Sequence, residues 1–383
     1  SLMQKMPPND IWCEILSRLD NQSIVNMRVN KHMAALAPTC VFQLDLDKNP
    51  AADGRHLPNI STLIASHMSS LKHFSNVTDL NISRCDLINI SRMTKLKILN
   101  ISHNYEVCNE DITGLTNLTT LDMFGTNISD AGIQMLTNLT NLEIGSRGIS
   151  NHGLRNLTKL QSLLACESAI TDVSYLPQLK ELYLNGDSRI CDENMRKLTN
   201  LTLLNISSNK TITDAGIFGL NLRVLKLCNN KTITNKGLRG ITSLVSLNAC
   251  NSCVSFVPVS LTELDARYSD ITVECLHGLT DLTTLAIDMQ KDKVVSVLTT
   301  LTNLTKLSLS GVVCDEDFLR KLTYIHSLDL HGATYWSTDH SWDFSHMTKL
   351  NTLYLSPSMT FTGTQPCTRI LRHKSRKLSL LPY

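Results

Sequence analysis

A short motif recurs along most of this chain: an apolar residue, any two residues, a leucine, one further residue and another large apolar residue. Residues 118–123 (LTTLDM) and 139–144 (LTNLEI) are two copies. Fifteen copies begin between Val41 and Leu350, and from Val77 onward they recur every 21 residues on average. One unit of this length is too small to bury a core alone, so the motif predicts an array of stacked repeats.

The residues around each copy indicate how one repeat folds. Alternation of apolar and polar residues inside the motif predicts a strand with one buried face. Segments such as 128–133 (ISDAGI) and 212–217 (ITDAGI) follow the strand. Serine or threonine before aspartate, ahead of apolar residues at helical spacing, predicts an N-cap and a short helix. One repeat is therefore expected to be strand, turn, short helix and turn.

The motif, with its spacing, resembles the consensus of leucine-rich-repeat proteins over residues 41–358. The resemblance implies an α/β solenoid, with a curved parallel sheet inside and short helices on the convex side. Its period is closer to the short repeats of internalin-like proteins than to the longer plant and receptor types. The ninth consensus position, usually asparagine or cysteine, is occupied by Asn49, Cys85, Asn104, Asn209 and Asn230.

At other repeats the ninth position carries a different residue: Thr126, Ser168, Asp187, Ser252, Ser269 or Val312. The consensus asparagine normally bonds the backbone of neighbouring repeats. At these repeats we expect that ladder of side-chain bonds to be weaker or replaced.

The segment before the array, residues 6–38, does not repeat. It opens with prolines suited to a first helical turn, and its apolar residues at positions 11, 12, 15, 16 and 19 form one helical stripe. Two further short helices are predicted through Ile24 and Met33, the last ending at Pro38. Three helices in so few residues are too small to fold well alone.

This segment resembles the F-box. The matching residues are Met6-Pro7, Asp10-Ile11, Glu14-Ile15-Leu16, Leu19, Ser23-Ile24, Arg28-Val29, Lys31 and Leu36. The resemblance implies a three-helix module over residues 1–40 that inserts into the Skp-type adaptor of a cullin-based SCF ubiquitin ligase. The adaptor contacts it implies are Pro7, Ile11, Ile15, Leu16, Leu19 and Ile24. The alternative is a helical cap that covers the first exposed face of the array.

On each repeat strand, the residues between the buried leucines are expected to face the concave side of the sheet. Aromatic and charged side chains there are the usual anchors of protein interfaces. The candidates for partner binding are Asp122, Phe124, Glu143, Tyr183, Lys226, Arg267, Tyr268, His331 and Tyr354. Acidic residues dominate the early strands and basic residues appear later, which suggests a partner with a basic stretch on the early strands.

Composition narrows the classes of partner. The chain has 36 basic and 34 acidic residues, a net charge of +2, so no bulk charge predicts binding to nucleic acid or to a membrane surface. Twelve cysteines without a disulfide-like framework, and no apolar run of about 20 residues, predict a reduced, cytoplasmic chain without a membrane span. In a pathogen, that compartment would be the host cytosol.

Residues 359–383, beyond the array, are expected to form a C-terminal cap or a basic tail. The basic cluster at 369–377 could direct nuclear entry or bind acidic surfaces, and a solvated tail is the alternative. The aromatic segment 335–346 predicts either a loop that grips a partner or a plug over the last repeats.

No constellation of side chains predicts catalysis. Cys250-Asn-Ser-Cys253 is a single C-x-x-C motif, for which ordinary packing is the expectation. His331, His340 and His346 lack the spacing of a metal site, and no cofactor is predicted. The sequence therefore predicts a non-catalytic substrate-recognition subunit of an SCF-type ubiquitin ligase. The alternative is a leucine-rich-repeat binding or adhesion module without a role in ubiquitin transfer, which a leader removed upstream of Ser1 would favour.

Overall fold

The computed structural model describes a large part of the chain. The described residues are 43–45, 61–64, 71, 74, 76–85, 89–145, 148–166, 168–186, 188–288, 296–309, 313–314, 316–331, 334–335, 342–356, 361–362, 367 and 369–372. The chain forms two compact units, residues 1–180 and residues 181–383. The predicted F-box-like module, with its six adaptor-binding residues, lies outside the described residues.

Among its described residues, the first unit contains seven parallel strands, each paired in register with the next. They are β1 (Gln43–Asp45), β2 (Thr62–Ile64), β3 (Asp79–Asn81), β4 (Ile98–Asn100), β5 (Thr120–Asp122), β6 (Asn141–Ile144) and β7 (Ser162–Ala165).

The second unit contains a parallel sheet of ten described strands. They are β8 (Glu181–Tyr183), β9 (Leu203–Asn205), β10 (Val224–Lys226), β11 (Ser246–Asn248), β12 (Glu263–Asp265), β13 (Thr284–Ile287), β14 (Lys306–Leu309), β16 (Ser327–Asp329), β19 (Thr352–Leu355) and β21 (Arg369–Arg372). Two short parallel pairs accompany it. They are β15 (Val313–Cys314) with β17 (Thr334–Tyr335), and β18 (Trp342–Asp343) with β20 (Phe361–Thr362).

Short helices follow many of the strands. They are α1 (Asn109–Ile112), α2 (Asp130–Ile133), α3 (Asn151–Leu154), α4 (Asp192–Met195), α5 (Asp214–Ile217), α6 (Asn235–Arg239), a 3-10 helix (Val273–Leu276) and α7 (Glu316–Leu319). Ser129 and Thr213 are N-caps, as predicted. The described residues between β7 and β8, and between β11 and β12, form no helix; these connections belong to short repeats and contain Pro177 and Pro258.

The leucine at the fourth motif position is the centre of the core in every repeat whose burial is described. From Leu63 on β2 to Leu353 on β19, these side chains are at most 1% exposed. The flanking strand residues are more accessible, apart from the polar cluster on β12–β16 described below. The predicted leucine-rich-repeat fold is thus confirmed: parallel strands with one face packed on short helices.

Two strands extend the sheets beyond the predicted repeats. β2 was missed although its motif copy, residues 60–65, ends in alanine just as three recognised copies do, at Ala165, Ala249 and Ala266. β21 lies in the segment predicted to be a cap or basic tail, and it pairs with β19. Its motif begins at Cys367 and carries Arg372 where the other copies carry an apolar residue, so the pattern is degenerate. Part of the basic cluster, Arg369 to Arg372, is therefore strand.

The consensus asparagines join neighbouring repeats. Asn230 is fully buried; its Nδ2 donates to the carbonyls of Ile206 (2.9 Å) and Asn209 (3.1 Å), and its Oδ1 accepts from the N–H of Thr232 and Ile233. Asn209 bonds the repeat before it in the same way. Each buried amide thus satisfies backbone groups of two repeats, which makes the ladder costly to remove.

Where the ninth residue carries a hydroxyl, the ladder is replaced by a local bond, as predicted. The side chains of Thr126, Ser168, Ser252 and Ser269 each donate to the carbonyl three residues earlier, inside their own repeat. A hydroxyl is too short to reach the preceding repeat. These repeats therefore keep the turn but lose the side-chain link between neighbours.

A second ladder joins the starts of the helices. Asp130, the first residue of α2, accepts from the N–H (2.8 Å) and the hydroxyl (2.6 Å) of Ser150, the N-cap of α3. Asp192 and Asp214 accept in the same way from Thr213 and Thr234. The acid that begins one helix therefore binds the N-cap of the next, and Thr213 also caps its own helix by accepting from the N–H of Ala215.

This second ladder explains the glycine in helices α3, α5 and α6. A Cβ added to Gly153 would overlap the Asp130 carboxylate, and Gly216 and Gly237 have the same relation to Asp192 and Asp214. Glycine is required there because the acid of the preceding repeat occupies the space of a side chain. Among the described residues, no helix has the length and apolar composition of a membrane span.

We predict that Gly153→Ala lowers the free energy of unfolding by roughly 1–3 kcal/mol, because overpacking must displace the Asp130 carboxylate. Gly114→Ala is the matched control in the same unit, since no atom lies within 4 Å of its added Cβ. Chemical denaturation followed by circular dichroism measures both. Equal stability of the two variants would contradict the prediction.

Candidate protein-binding surface

The strands leave one face of each sheet without helices. It is formed by the third, fifth and seventh residues of each motif copy, which alternate with the buried leucines. We call this the open face. All nine partner-binding candidates lie on this face or, for Tyr268, one residue beyond it.

In the first unit, two carboxylates stand side by side on the open face. Asp122 on β5 and Glu143 on β6 are directly paired in the sheet register. Burial, and then the charge of Asp122, raise the pKa of Glu143. In the part of the chain that the structure describes, neither side chain forms an ion pair. Like charges in direct register destabilise a sheet, so this pair carries a cost that the fold does not require.

Phe124 lies beside this acidic pair. Its ring is half-buried, packs edge-on against His103 with 5.6 Å between ring centroids, and lies over Gly145. The N–H of Phe124 donates to Asp122 Oδ1 at 3.1 Å. The structure therefore brings together three predicted residues, Asp122, Phe124 and Glu143, as an aromatic ring next to two carboxylates without an ion pair among the described residues.

In the second unit, Tyr183 and Tyr354 lie far apart in the strand order, on β8 and β19. Both are half-buried. The Tyr183 hydroxyl donates to Glu181 Oε2 at 3.5 Å. The two tyrosines therefore do not belong to one local cluster.

Lys226 is a half-buried cation on β10. Burial lowers the pKa of its ammonium group, and the nearby charge of Glu263 acts in the opposite direction. Ser246 lies on the strand between them and donates its hydroxyl to Glu263 Oε2 at 2.9 Å.

Arg267 does not stand free on the surface, as a partner-binding anchor would. Its side chain is buried, and it donates from Nε and Nη2 to the two oxygens of Asp265, at 2.9 and 2.7 Å. This bidentate bond raises the pKa of Arg267. The expectation of basic residues on the later strands is corrected in one respect: the charge of Arg267 is compensated within the chain.

Two further carboxylates lie within the electrostatic reach of Arg267. Asp288 accepts from the N–H of Tyr268 at 2.9 Å, and Asp329 accepts from the Ser308 hydroxyl at 3.2 Å and from the His331 N–H at 2.8 Å. Burial raises the pKa of both acids. We call the set Asp265, Arg267, Asp288, Ser308, Asp329 and His331 the Arg267 cluster.

Tyr268 and His331 are the predicted residues that border this cluster. Tyr268 has a left-handed backbone, φ 55°, and its side chain is 51% exposed, so it remains available to a partner. The buried Nδ1 of His331 has no hydrogen-bond partner among the described residues. The sequence analysis did not select Asp265, Asp288, Ser308 or Asp329. Their positions in the motif indicate that they lie on the open face, but no pattern in the sequence indicates that they lie close to one another across the strands.

The aromatic segment at 335–346 is described only in part. Phe344 is 1% exposed, and both ring nitrogens of His346 are buried without a described partner. The burial of Phe344 favours the plug over the gripping loop. In the described ranges, no three His, Cys, Asp or Glu side chains lie together in the manner of a metal site.

We predict opposite responses from two acids of the Arg267 cluster. Burial raises the folded-state pKa of Asp329, so the folded protein favours the protonated carboxyl group. This preference stabilises the fold at low pH, and the stabilisation is lost as the pH rises through the folded-state pKa. Asp329→Asn should therefore raise stability at pH 7, with a smaller gain towards pH 4.

Asp265→Asn is the matched contrast. It should lower stability at pH 7 by roughly 3–5 kcal/mol, because it leaves the buried Arg267 charge uncompensated. Thermal unfolding of both variants between pH 4 and 7 tests the pair. A loss of stability at pH 7 in Asp329→Asn would refute the assignment.

Several solved structures are similar to this chain. An internalin of Listeria monocytogenes (InlF) aligns over 85% of this chain and 90% of its own, with 20% identity and a TM-score of 0.42. A leucine-rich-repeat protein of Leptospira interrogans aligns over 85% and 92%, with 18% identity and a TM-score of 0.42. TLR13, solved in complex with ssRNA13, aligns over 90% and 68%, with 14% identity and a TM-score of 0.50.

At these identities, the likeness concerns the fold alone. Neither a protein-family model nor a curated protein matches this chain.

Proposed function

We propose that this chain is a non-catalytic receptor that binds a protein partner on the open face of its sheets. The observation that carries the proposal is the Asp122–Glu143 pair, two carboxylates in direct register without a described counter-ion, next to the half-buried Phe124. A basic segment of a partner would neutralise both acids and pack its alkyl stems on the ring. Binding would therefore relieve the repulsion between the carboxylates of Asp122 and Glu143 in the unbound chain.

The charge of this surface favours a basic protein segment over nucleic acid. Binding of a phosphate backbone is driven by lysine and arginine side chains. On β5 and β6 the open face instead carries two carboxylates and an aromatic ring. The alternative of an RNA ligand, as in the TLR13–ssRNA13 complex, is therefore less consistent with this part of the chain.

We predict that a lysine-rich peptide binds the chain and that the double variant Asp122→Lys, Glu143→Lys abolishes binding. Fluorescence anisotropy with a labelled oligolysine peptide measures it at several salt concentrations. The control with the same change in net charge is Glu106→Lys, Asp281→Lys, two exposed acids outside the open face. Equal loss in the two double variants would show bulk electrostatics and contradict a site at Asp122 and Glu143.

The finer proposal is that the receptor is the substrate-recognition subunit of an SCF-type ubiquitin ligase. Its support is the F-box resemblance of residues 6–36, followed directly by repeats. The N-terminal helices would hold the Skp-type adaptor, and the open face would hold the target. Such a receptor acts by raising the local concentration of a target lysine near the conjugating enzyme, without bond chemistry of its own. This role implies action in the cytosol.

We predict that the full chain forms a one-to-one complex with a Skp-type adaptor and that Ile15→Asp with Leu19→Asp abolishes it. A charge on the apolar stripe would have to be buried in the adaptor groove. Ser17→Asp, on the opposite side of the predicted helix, is the matched control and should keep the complex. Size-exclusion chromatography with light scattering measures the stoichiometry.

The absence of a complex at micromolar concentrations, with the oligolysine binding retained, would leave the alternative: a leucine-rich-repeat binding or adhesion module without a role in ubiquitin transfer. The adaptor experiment therefore tests the ligase role, and the oligolysine experiment tests the binding surface, so that a negative result in one does not decide the other.

A further inference from the structure

Two cysteines occupy the seventh motif position of neighbouring repeats in the second unit. Cys228 follows β10 and Cys250 follows β11, and the sheet register pairs Lys226 with Asn248, two residues before each cysteine. The backbone ladder continues beyond the strands, because the N–H of Asn229 donates to the carbonyl of Cys250 at 2.9 Å. The two cysteines therefore lie side by side on the open face.

Their thiols contact each other. The side chains of Cys228 and Cys250 are hydrogen-bonded, and both are half-buried. This bond, and then burial, raise the pKa of the Cys250 thiol. The backbone is held on both sides of the pair, since Asn248 Oδ1 accepts from the N–H of Cys250 at 3.0 Å and Asn229 Nδ2 donates to Cys228 Sγ at 3.5 Å.

The spacing suits a covalent bond. Neighbouring parallel strands lie about 4.8 Å apart. That separation falls within the range of about 4.4–6.8 Å between the Cα atoms of disulfide-bonded residues. Cys253, the other cysteine of the C-x-x-C motif, is exposed, and Ser252 between the two is buried. The neighbour of Cys250 in space is thus 22 residues away in the chain, not three.

We propose that Cys228 and Cys250 form a redox modification site on the open face, a dithiol that a low-molecular-weight disulfide converts into a bond between two repeats. One protein thiolate attacks the small disulfide, releasing one small thiolate and forming a mixed disulfide. The second protein thiolate attacks the protein sulfur of that mixed disulfide and releases the second small thiolate. Two protein thiols are oxidised, the small disulfide is reduced to two thiols, and both protein protons pass to them.

The modification would act next to the Arg267 cluster. The charges of Asp265 and Arg267 both reach the Cys250 thiol. Closure would replace two polar hydrogen-bonding groups by one compact apolar bridge beside the ion pair. It would also add a covalent cross-link between two consecutive repeats, in addition to the chain that connects them. This inference rests on the sheet register and does not depend on the proposed function.

The test uses the full, reduced chain incubated with oxidised glutathione, alkylated with iodoacetamide and digested with trypsin. The expected product is a link between peptide 227–231, which contains Cys228, and peptide 240–267, which contains Cys250 and Cys253. The linked pair should weigh about 2 Da less than the two reduced peptides, because two hydrogens are lost.

Three variants assign the link. Cys253→Ser should keep it, whereas Cys228→Ser and Cys250→Ser should each abolish it. Circular dichroism of each variant shows whether the fold is retained. A disulfide inside peptide 240–267, or a stable glutathione adduct without closure in Cys253→Ser, would overturn the proposal.

Discussion

Each repeat of this protein completes hydrogen bonds that its neighbour cannot complete alone. The backbone ladder joins the strands, the buried amides of Asn209 and Asn230 join the turns that follow them, and the acids that begin α2, α4 and α5 join the helix starts. An unsatisfied buried polar group costs about 1–3 kcal/mol, so a displaced repeat would lose several such bonds together. The register between neighbouring strands follows from this constraint.

That constraint also determines where a partner can bind. The buried leucines occupy the side of the sheet that faces the helices. The asparagine ladder and the helix starts lie in the connections that follow the strands. The third, fifth and seventh motif positions take no part in the asparagine ladder or the helix-start ladder, and they carry most of the charged and aromatic variety. The cost is visible at Asp122 and Glu143, which are adjacent like charges, and at Asp329, a buried acid with a raised pKa.

The open face differs locally within the second unit. On β12 to β16 its residues at the fifth motif position are buried, from Asp265 (1% exposed) to Asp329 (3%), and the polar ones are satisfied by the Arg267 ion pair and the Ser308 hydroxyl. Lys226 on β10 and Tyr354 on β19, at the margins of this region, are only half-buried. A partner of this unit would therefore meet an already paired polar centre, with accessible residues such as Tyr268 around it.

Much of this architecture followed from the sequence. The motif spacing predicted the parallel strands, the serine- or threonine-aspartate pairs predicted the N-caps, and the residue at the ninth position predicted where the asparagine ladder would be interrupted. Strand β21 was missed because Arg372 replaces the third apolar residue of its motif copy, whereas the copy of β2 matches the motif as well as the recognised copies that end in alanine. Helices were overpredicted near Pro177 and Pro258, where the repeats are too short for another helical turn.

The sequence by itself determined the repeat, because the period and the apolar spacing of a stacked strand are local properties. It also determined which residues stand on the open face. Only the tertiary structure decided how those residues are used: Asp329 accepts a hydrogen bond from Ser308, Phe124 packs on His103, and Cys250 pairs with Cys228 instead of Cys253. The physical reason is that the alignment of adjacent repeats brings together side chains about 20 residues apart, and no pattern within one repeat contains that distance.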